Sequence, residues 1–569
     1  MSDAEPALPP LPALAAPALE PAPLAAPAPE PAVVAPAPRV EQETGGSKRK
    51  PSSRFCFLHK TFQEFFAGFY LAYQILDGDT NCKSVVTDVW DTNELKQVLL
   101  FMSGILSARS EEMTVSLVRS IAELPISSNM GIMNPKKEIL DLALDCILEC
   151  KCPGENLQSK LLQSFGQNFL VKDLAIPIPS DRANLLCEIF KVNTCLSTLN
   201  FSNNDVNDAG AESLSEALKV NTCLTTSDLS ENEIGTAGTE FLSEALRVNT
   251  CLTSLNFSNN NVNDAGAKSL SEALKVNTCL TTLDLSWNEI GAAGAESLSE
   301  ALKVNTCLTI LDLSWNEIGA AGAESLSEAL KVNTCLNILH LSWNKIGAAG
   351  AESLSEALKV NTSLTTLGLS GNQVHDAGAK SLSEGLKVKT CLTALNLIRN
   401  KIGTADAESL SEALKVNTCL TTLGLSKNEI CTAGAEFLSE ALKVNTCLTT
   451  LNLNQSRIGA AKAESPSEAL RVNTCLTTLD LRKNEIGTAG AQSLSEALKV
   501  NTCLTTLDLR KNEIGTAGAK SLSEALNTCL TTLDLRQNRM GTVGAESFSE
   551  ALNVNTCLTT LNLIWNELI

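Results

Sequence analysis

What this chain lacks narrows its function first. Basic residues are outnumbered, 44 Lys and Arg against 64 Asp and Glu, for a formal net charge of −20 and a pI near 4.8. A nucleic-acid groove needs a basic face, so no nucleic-acid partner is expected. No run of 18 apolar residues occurs, so no helical membrane span is expected. The start, Met1-Ser-Asp-Ala-Glu-Pro, has no basic region and prolines break its apolar stretch, which makes it a poor signal peptide. There is no CxxC pair and no Cys/His cluster at metal-ligand spacing, so neither zinc nor another metal or cofactor is expected. No GxxxxGK[ST] loop is present either; Gly45-Gly46-Ser47-Lys48 lacks the spacing that cradles a nucleotide phosphate. The three histidines, His59, His340 and His375, form no site, and no Ser/His/Asp or paired-carboxylate set stands out. The chain is therefore not expected to be an enzyme.

What is there is a 28-residue unit that repeats almost verbatim. One copy runs from Leu280 to Cys307, and the frame extends back to Leu196 and forward to Leu558. A fixed period of this length predicts a solenoid, in which each unit packs on its neighbours and a long chain needs no single large core. Thirteen of the twenty cysteines occupy one repeat position, from Cys195 to Cys557, and Ser363 fills that position once. A slot that accepts Cys or Ser selects a small side chain. So many unpaired thiols suit a reducing compartment, and a cytoplasmic location is expected.

Ahead of the repeats, residues 1–53 are rich in Pro and Ala, with twelve prolines before Val40. Such a segment cannot bury a core and is expected to be disordered. Lys48-Arg49-Lys50 reads either as a solvated linker or as a nuclear signal. Residues 54–165 predict a small all-α domain, with apolar residues at helical spacing in Phe62–Ile75, Leu95–Leu106, Met113–Leu124 and Ile139–Leu148. Thr92 or Asn93 is placed to cap the second helix and Asn134-Pro135 to open the fourth. Residues 166–195 form a degenerate first repeat, because Leu186 to Cys195 aligns with Leu298 to Cys307. Residues 196–569 are the regular array.

Within a copy, Leu280, Leu283 and Leu285 follow LxxLxLxxN. Leu283 and Leu285 point to one side of a short strand, Asp284 and Ser286 to the other. Asn288 is placed to bond the backbone of its own turn and of the next copy. Gly291 and Gly294 permit the turn into a helix whose apolar stripe is Ala295, Leu298, Ala301 and Leu302. Asn305 is expected to end that helix in a left-handed conformation. The fold class is thus α/β: a leucine-rich-repeat horseshoe with a parallel sheet inside and helices outside, its fourteen strands spanning an inner arc of roughly 65 Å.

LxxLxLxxNxIGxxGAxxLxxALKxNTxL resembles the ribonuclease-inhibitor-like class of leucine-rich repeats. That class includes ribonuclease inhibitor, the sensor arrays of NOD-like receptors and the Ran GTPase-activating proteins. The segment Phe57-Leu58-His59-Lys60-Thr61-Phe62-Gln63-Glu64-Phe65-Phe66-Ala67 looks like the FxHxxFQEFxAA stretch of NOD-like receptors. Phe101-Met102-Ser103-Gly104-Ile105-Leu106 resembles the FxxGLL stretch that follows it there. The resemblance is to NLRC-type receptors over residues 54–569, with the NACHT ATPase missing and no recruitment domain visible before residue 54. ATP-driven oligomerisation therefore does not carry over, and self-association stays open. The resemblance implies a cytosolic scaffold that binds protein partners and regulates innate immune signalling. A stand-alone inhibitor scaffold of the ribonuclease-inhibitor kind and a Ran-type GTPase activator are the alternatives.

Binding is expected on the concave face, at repeat positions 5, 7, 8 and 10. Position 8 carries Trp287, Trp315 and Trp343 in successive copies, a predicted ladder of rings, and Trp565 in the last. His340 lies beside Trp343. Charge divides along the face. Copies one to five are acidic, with Glu289 and Glu317 among the acids, and later copies carry Arg399, Lys427, Arg482, Lys483, Arg510, Lys511 and Arg536. Such a dipolar face orients a protein partner; drift on a solvated surface is the other explanation. Weak points are expected at Ser227, at Asp406, in the shortened twelfth copy Ala525-Leu526-Asn527-Thr528, and in the tenth copy. There Ser456, Lys462 and Pro466 replace Asn, Gly and Leu, and a hinge or frayed helix is expected around 456–470.

Overall fold

The computed structural model describes residues 60–87, 95–125, 134–150, 155–175, 182–388, 391–459, 464–526 and 529–566. The Pro/Ala-rich tail with its basic triplet, His59, the Thr92/Asn93 cap, Lys462 and Asn527-Thr528 lie outside them.

Among the described residues six helices come first: α1 (Lys60–Leu76), the single turn α2 (Cys82–Val85), α3 (Lys96–Ser107), α4 (Glu111–Ala122), α5 (Pro135–Glu149) and α6 (Glu155–Asn168). Asn134 caps α5 as expected, its Oδ1 accepting the Lys137 N–H at 3.3 Å, with Pro135 in the first turn, where no N–H is needed. Helix α6 crosses residue 165, the expected end of the helical domain. The two motif-bearing helices pack on each other. Phe65 and Phe101 meet edge to face at 5.4 Å, and Gly68 lets α1 cross α3 so closely that a Cβ there would fall 2.7 Å from the Val98 carbonyl oxygen. Lys136 Nζ donates to the Asp173 carbonyl at 2.6 Å and Asn134 Nδ2 to that of Ala175 at 3.1 Å, so α5 is tied to the first strand.

That strand, β1 (Asp173–Ala175), opens a fifteen-stranded parallel sheet in which strand order follows chain order. The degenerate segment before Leu196 therefore supplies a full strand, one more than the fourteen expected. Register never slips: Leu255, Leu283 and Leu311 are direct neighbours across three strands. Leu283, Leu285, Ala295, Leu298, Ala301 and Leu302 are all buried, as the repeat pattern requires. Full burial of each leucine is worth roughly 1.5–3 kcal/mol.

Asparagine stitches the turns. Asn288 Nδ2 donates to Leu285 O, to Ser286 O and to Phe257 O, at 3.0–3.2 Å. Its Oδ1 accepts the Val262 N–H at 3.0 Å. The bridge therefore runs to the preceding copy, opposite to the expected direction. Asn305 also departs from expectation. It is absent from the residues with positive φ, and it makes a second ladder. Its Nδ2 donates to Leu274 O (2.8 Å) and Asn277 O (3.4 Å), and its Oδ1 accepts the N–H groups of Cys307 and Leu308. The repeated cysteine joins this ladder: Cys307 Sγ donates to Asn277 O at 3.4 Å, and Ser363 Oγ makes the same bond to Asn333 O. Gly294 also has another role than turning. It sits inside a helix, where a Cβ would fall 2.7 Å from both Ile290 Cγ2 and Asp264 Oδ1, so glycine sets the spacing between repeats.

The irregular copies have local explanations. Ser227 is buried and its hydroxyl has no partner. Pro466 lies in the helix Glu464–Val472, and residues 460–463 just before it lie outside the described residues. Ser456 is a local defect. Its Oγ still donates to Leu425 O at 3.3 Å, but it offers no amide oxygen to the Asn428 and Ile430 N–H groups, whereas Asn428 serves Asn400 and Ile402 in that way. Ser456→Asn is expected to stabilise the fold by about 1–2 kcal/mol, read as a higher denaturation midpoint. A lower midpoint would show that the turn has adapted to serine.

Asp406 stands where the repeat has the close-packing glycine, against Asp376, which caps this helix by accepting the Gly403 N–H at 3.3 Å. Burial, and then the hydrogen bond with Asp376, pushes the Asp406 carboxyl up to about 7. The folded form thus holds a proton that the unfolded chain releases near pH 4. The stability this gives is complete below pH 4 and is lost as pH rises through 7. Thermal melts at pH 5 and pH 8 are expected to show Asp406→Asn gaining on the wild type at the higher pH; a pH-independent difference rejects the shared proton.

Candidate protein-binding surface

The side chains singled out above sit mostly just past the sheet. Each strand has three residues, such as Thr282–Asp284, so positions 8 and 10 fall in the turn at its C-terminal end. They form the rim of the sheet, where the concave strand face was expected. Position 8 is left-handed throughout: φ is 57° at Trp287, 59° at Trp315 and 60° at Trp343. Backbone bonding accompanies it, since each position-8 N–H from Asn203 to Gln537 donates to the position-7 carbonyl of the next copy, as Trp287 does to Ser314 O at 2.9 Å. A left-handed L-residue costs roughly 1–2 kcal/mol. Every copy but that of Gly371 carries this cost, with Asn, Glu, Arg, Lys or Gln elsewhere in the column, so the fold does not dictate tryptophan there.

The three indoles stack. Trp287 and Trp315 lie with centroids 4.0 Å apart and planes 11° from parallel; Trp315 and Trp343 follow at 4.5 Å and 13°. Each such pair is worth about 0.5–1.5 kcal/mol beyond its buried area. Trp343 then leans over Gly371, where a Cβ would fall 2.6 Å from its Cδ2, and the Arg399 guanidinium lies 5.7 Å from its ring centroid. Sequence reasoning missed Gly371, although its place in the rim column signals it. His340 ends the strand Ile338–His340, half-buried, and crowds the neighbouring Gly368, where a Cβ would fall 2.7 Å from its Nδ1.

Charge is arranged differently in the two halves. In copies two to five the strand carboxylates have no basic partner among the described residues. Burial raises the Asp284 carboxyl, with hydrogen bonds from Ser286 opposing the shift and the charges of Asp312 and Asp228 adding to it. Glu289 is exposed, while Glu317 pairs with Lys345 at 2.9 Å. In the later copies Arg482, Arg510 and Arg536 are bound to the aspartate two residues before them, at 2.5, 2.6 and 2.8 Å. These arginines therefore carry little free charge. The positive rim is made by Lys427, Lys483 and Lys511, for which no ion pair is found among the described residues. Partial burial, then the charges of Arg399, Lys483 and Arg482, lowers the Lys427 ammonium. With Trp565 these side chains line a cleft of about 440 Å³.

Gly371→Asn keeps a residue tolerant of left-handed backbone but places a side chain under Trp343. Loss of the near-ultraviolet circular-dichroism signal of stacked indoles is expected, with little change in melting temperature; an unchanged spectrum would show that the ring does not rest on Gly371.

Comparison with known proteins agrees with the repeat geometry. A family model described as "Leucine Rich repeat" matches residues 192–215, 248–271, 276–299, 304–327, 332–355, 360–383, 388–411, 416–439, 472–495, 500–523 and 526–549. No curated protein matches the chain. Among solved structures, actin-binding site 2 of leiomodin-1 is 24% identical, covering 27% of this chain and 91% of that one, with a TM-score of 0.24. A complex of TLR13 with ssRNA13 is 17% identical, covering 71% of this chain and 62% of that one, with a TM-score of 0.39. Eleven repeat matches, on a sheet to which each copy adds one parallel strand, make the chain a leucine-rich-repeat protein.

Proposed function

We propose that this chain is a cytosolic protein-binding scaffold related to NOD-like receptors, and that it regulates innate immune signalling through the inner face and rim of its repeats. The observation that carries the binding role is the exposed column of stacked indoles at a position that the fold leaves free. Exposed tryptophans held rigidly in place are the usual anchors of protein interfaces. The relationship to NOD-like receptors is supported by the Phe-Gln-Glu-Phe helix and the Phe101–Leu106 segment, which pack together directly ahead of the array. The ribonuclease-inhibitor and Ran-type alternatives provide no reason for such helices. A cytosolic location is supported by the described cysteines, all of which are free thiols.

Affinity capture from cytosol with the wild type and with Trp287→Asn/Trp315→Asn/Trp343→Asn tests the binding role. Partners held by the wild type are expected to bind the variant at least tenfold more weakly, and the wild type alone is expected to change the output of an inflammatory transcription reporter. Equal binding by both proteins rejects the tryptophan surface, and stimulation of a small GTPase would favour the Ran-type activity.

A further inference from the structure

We infer that the outer face of Trp287, the open end of the indole stack, is a subsite for an arginine side chain presented by a basic segment of a partner protein. This inference rests on the protein-binding function proposed above and names the chemistry that the surface selects.

The stack is polar. Its Trp343 end is closed by Gly371 and by the guanidinium of Arg399, 5.7 Å from the ring centroid. At the other end, Trp315 is the only ring partner of Trp287 among the described residues. Exposure rises accordingly, from half-buried Trp343 to 38% at Trp315 and 52% at Trp287. The column thus already receives a guanidinium on one terminal face and presents at the other an exposed face that, among the described residues, meets no further ring and no cation. An indole attracts a cation through its ring quadrupole, and a flat, weakly hydrated guanidinium stacks on it better than an ammonium does.

The charge around the open end matches that occupant. Towards the N-terminus the rim carries Asn259 and then Glu231, with Glu233 and Glu289 at position 10, and all four are exposed. The adjoining strands present Asp228, Asp284 and Asp312. At positions 5, 7, 8 and 10 of copies two to five there is no Lys or Arg. The nearest rim cation, Lys345, is already paired with Glu317. Carboxylates without basic partners beside an open indole face favour a cation and repel a phosphate backbone. Stacking on Trp315 holds the ring before binding, so little freedom is lost on contact.

Binding of a fluorescein-labelled hexa-arginine peptide to the full chain, followed by anisotropy, tests this. Hexa-arginine is expected to bind more tightly than hexa-lysine, and the neutral isostere hexa-citrulline only weakly. Trp287→Asn is expected to weaken hexa-arginine about tenfold. That variant preserves the backbone, because Asn203 and Asn259 hold the same position at φ 57° and 51°. Trp565→Asn, a control for general attraction to an acidic protein, is expected to change affinity less than twofold. The double variant Glu231→Gln/Glu289→Gln is expected to weaken binding severalfold and to flatten its salt dependence. Equal affinity of Trp287→Asn and the wild type overturns the subsite, as does hexa-citrulline binding as tightly as hexa-arginine, or preference for a single-stranded RNA oligonucleotide. A captured partner that needs all three tryptophans yet is neither displaced by hexa-arginine nor weakened by Trp287→Asn alone would refute the subsite and leave the protein-binding role standing. Hexa-arginine binding that needs Trp287, with no partner that needs the tryptophans, would do the reverse.

Discussion

Everything in the array depends on satisfying backbone polar groups that stacking removes from water. Each repeat buries a tight turn at either end of its strand, and a buried unpaired N–H or C=O costs about 1–3 kcal/mol. Two asparagine ladders meet that demand. An amide side chain has donors and an acceptor on one planar group, so it bonds its own turn while reaching one repeat back. Asn288 and Asn305 do this at opposite ends of one unit. Leucine burial provides most of the driving force, but it is indifferent to direction. The ladders fix the register at one strand per copy.

That constraint also creates the binding surface. The position-8 N–H is committed to the next copy, the backbone there is left-handed and its side chain is carried to the rim. The scaffold needs nothing from that side chain. The position is therefore free to hold asparagine, tryptophan or lysine, and successive copies bring like residues within stacking distance. An indole column in the middle of the array and a lysine rim near its end are two uses of the same freedom. Three nearby arginines illustrate the opposite outcome, since each is held by the aspartate of its own strand.

Much of this was legible in the sequence, for a physical reason. A repeat packs only on its neighbours, so the period, the strand leucines and the helix stripe translate directly into contacts, and the tryptophan ladder follows from equal spacing. The misreadings have equally definite causes. Asn305 follows a helix and resembles a left-handed cap, whereas its surroundings give it buried carbonyls to bridge. The arginines looked like free charge because one-dimensional counting does not pair Arg482 with Asp480. The repeat frame puts the strand half of the degenerate copy near residues 169–178, where Asp173–Ala175 lies, but its divergence keeps it out of a count of regular strands until its pairing with the next strand is seen.

By itself the sequence determined the class of fold, the number of regular repeats and the column in which the tryptophans lie, because short-range periodicity encodes all three. Tertiary structure decided the rest. Only stacking sets the direction of the asparagine bridges, closes one end of the indole column with Arg399 while leaving Trp287 open, and shows which charges are already paired. The bridges, the closed end of the column and the Glu317–Lys345 pair depend on distances between residues 26 to 56 positions apart, which exist only once neighbouring copies are in place. The arginines pair with an aspartate two residues away only because the strand end turns the two side chains together.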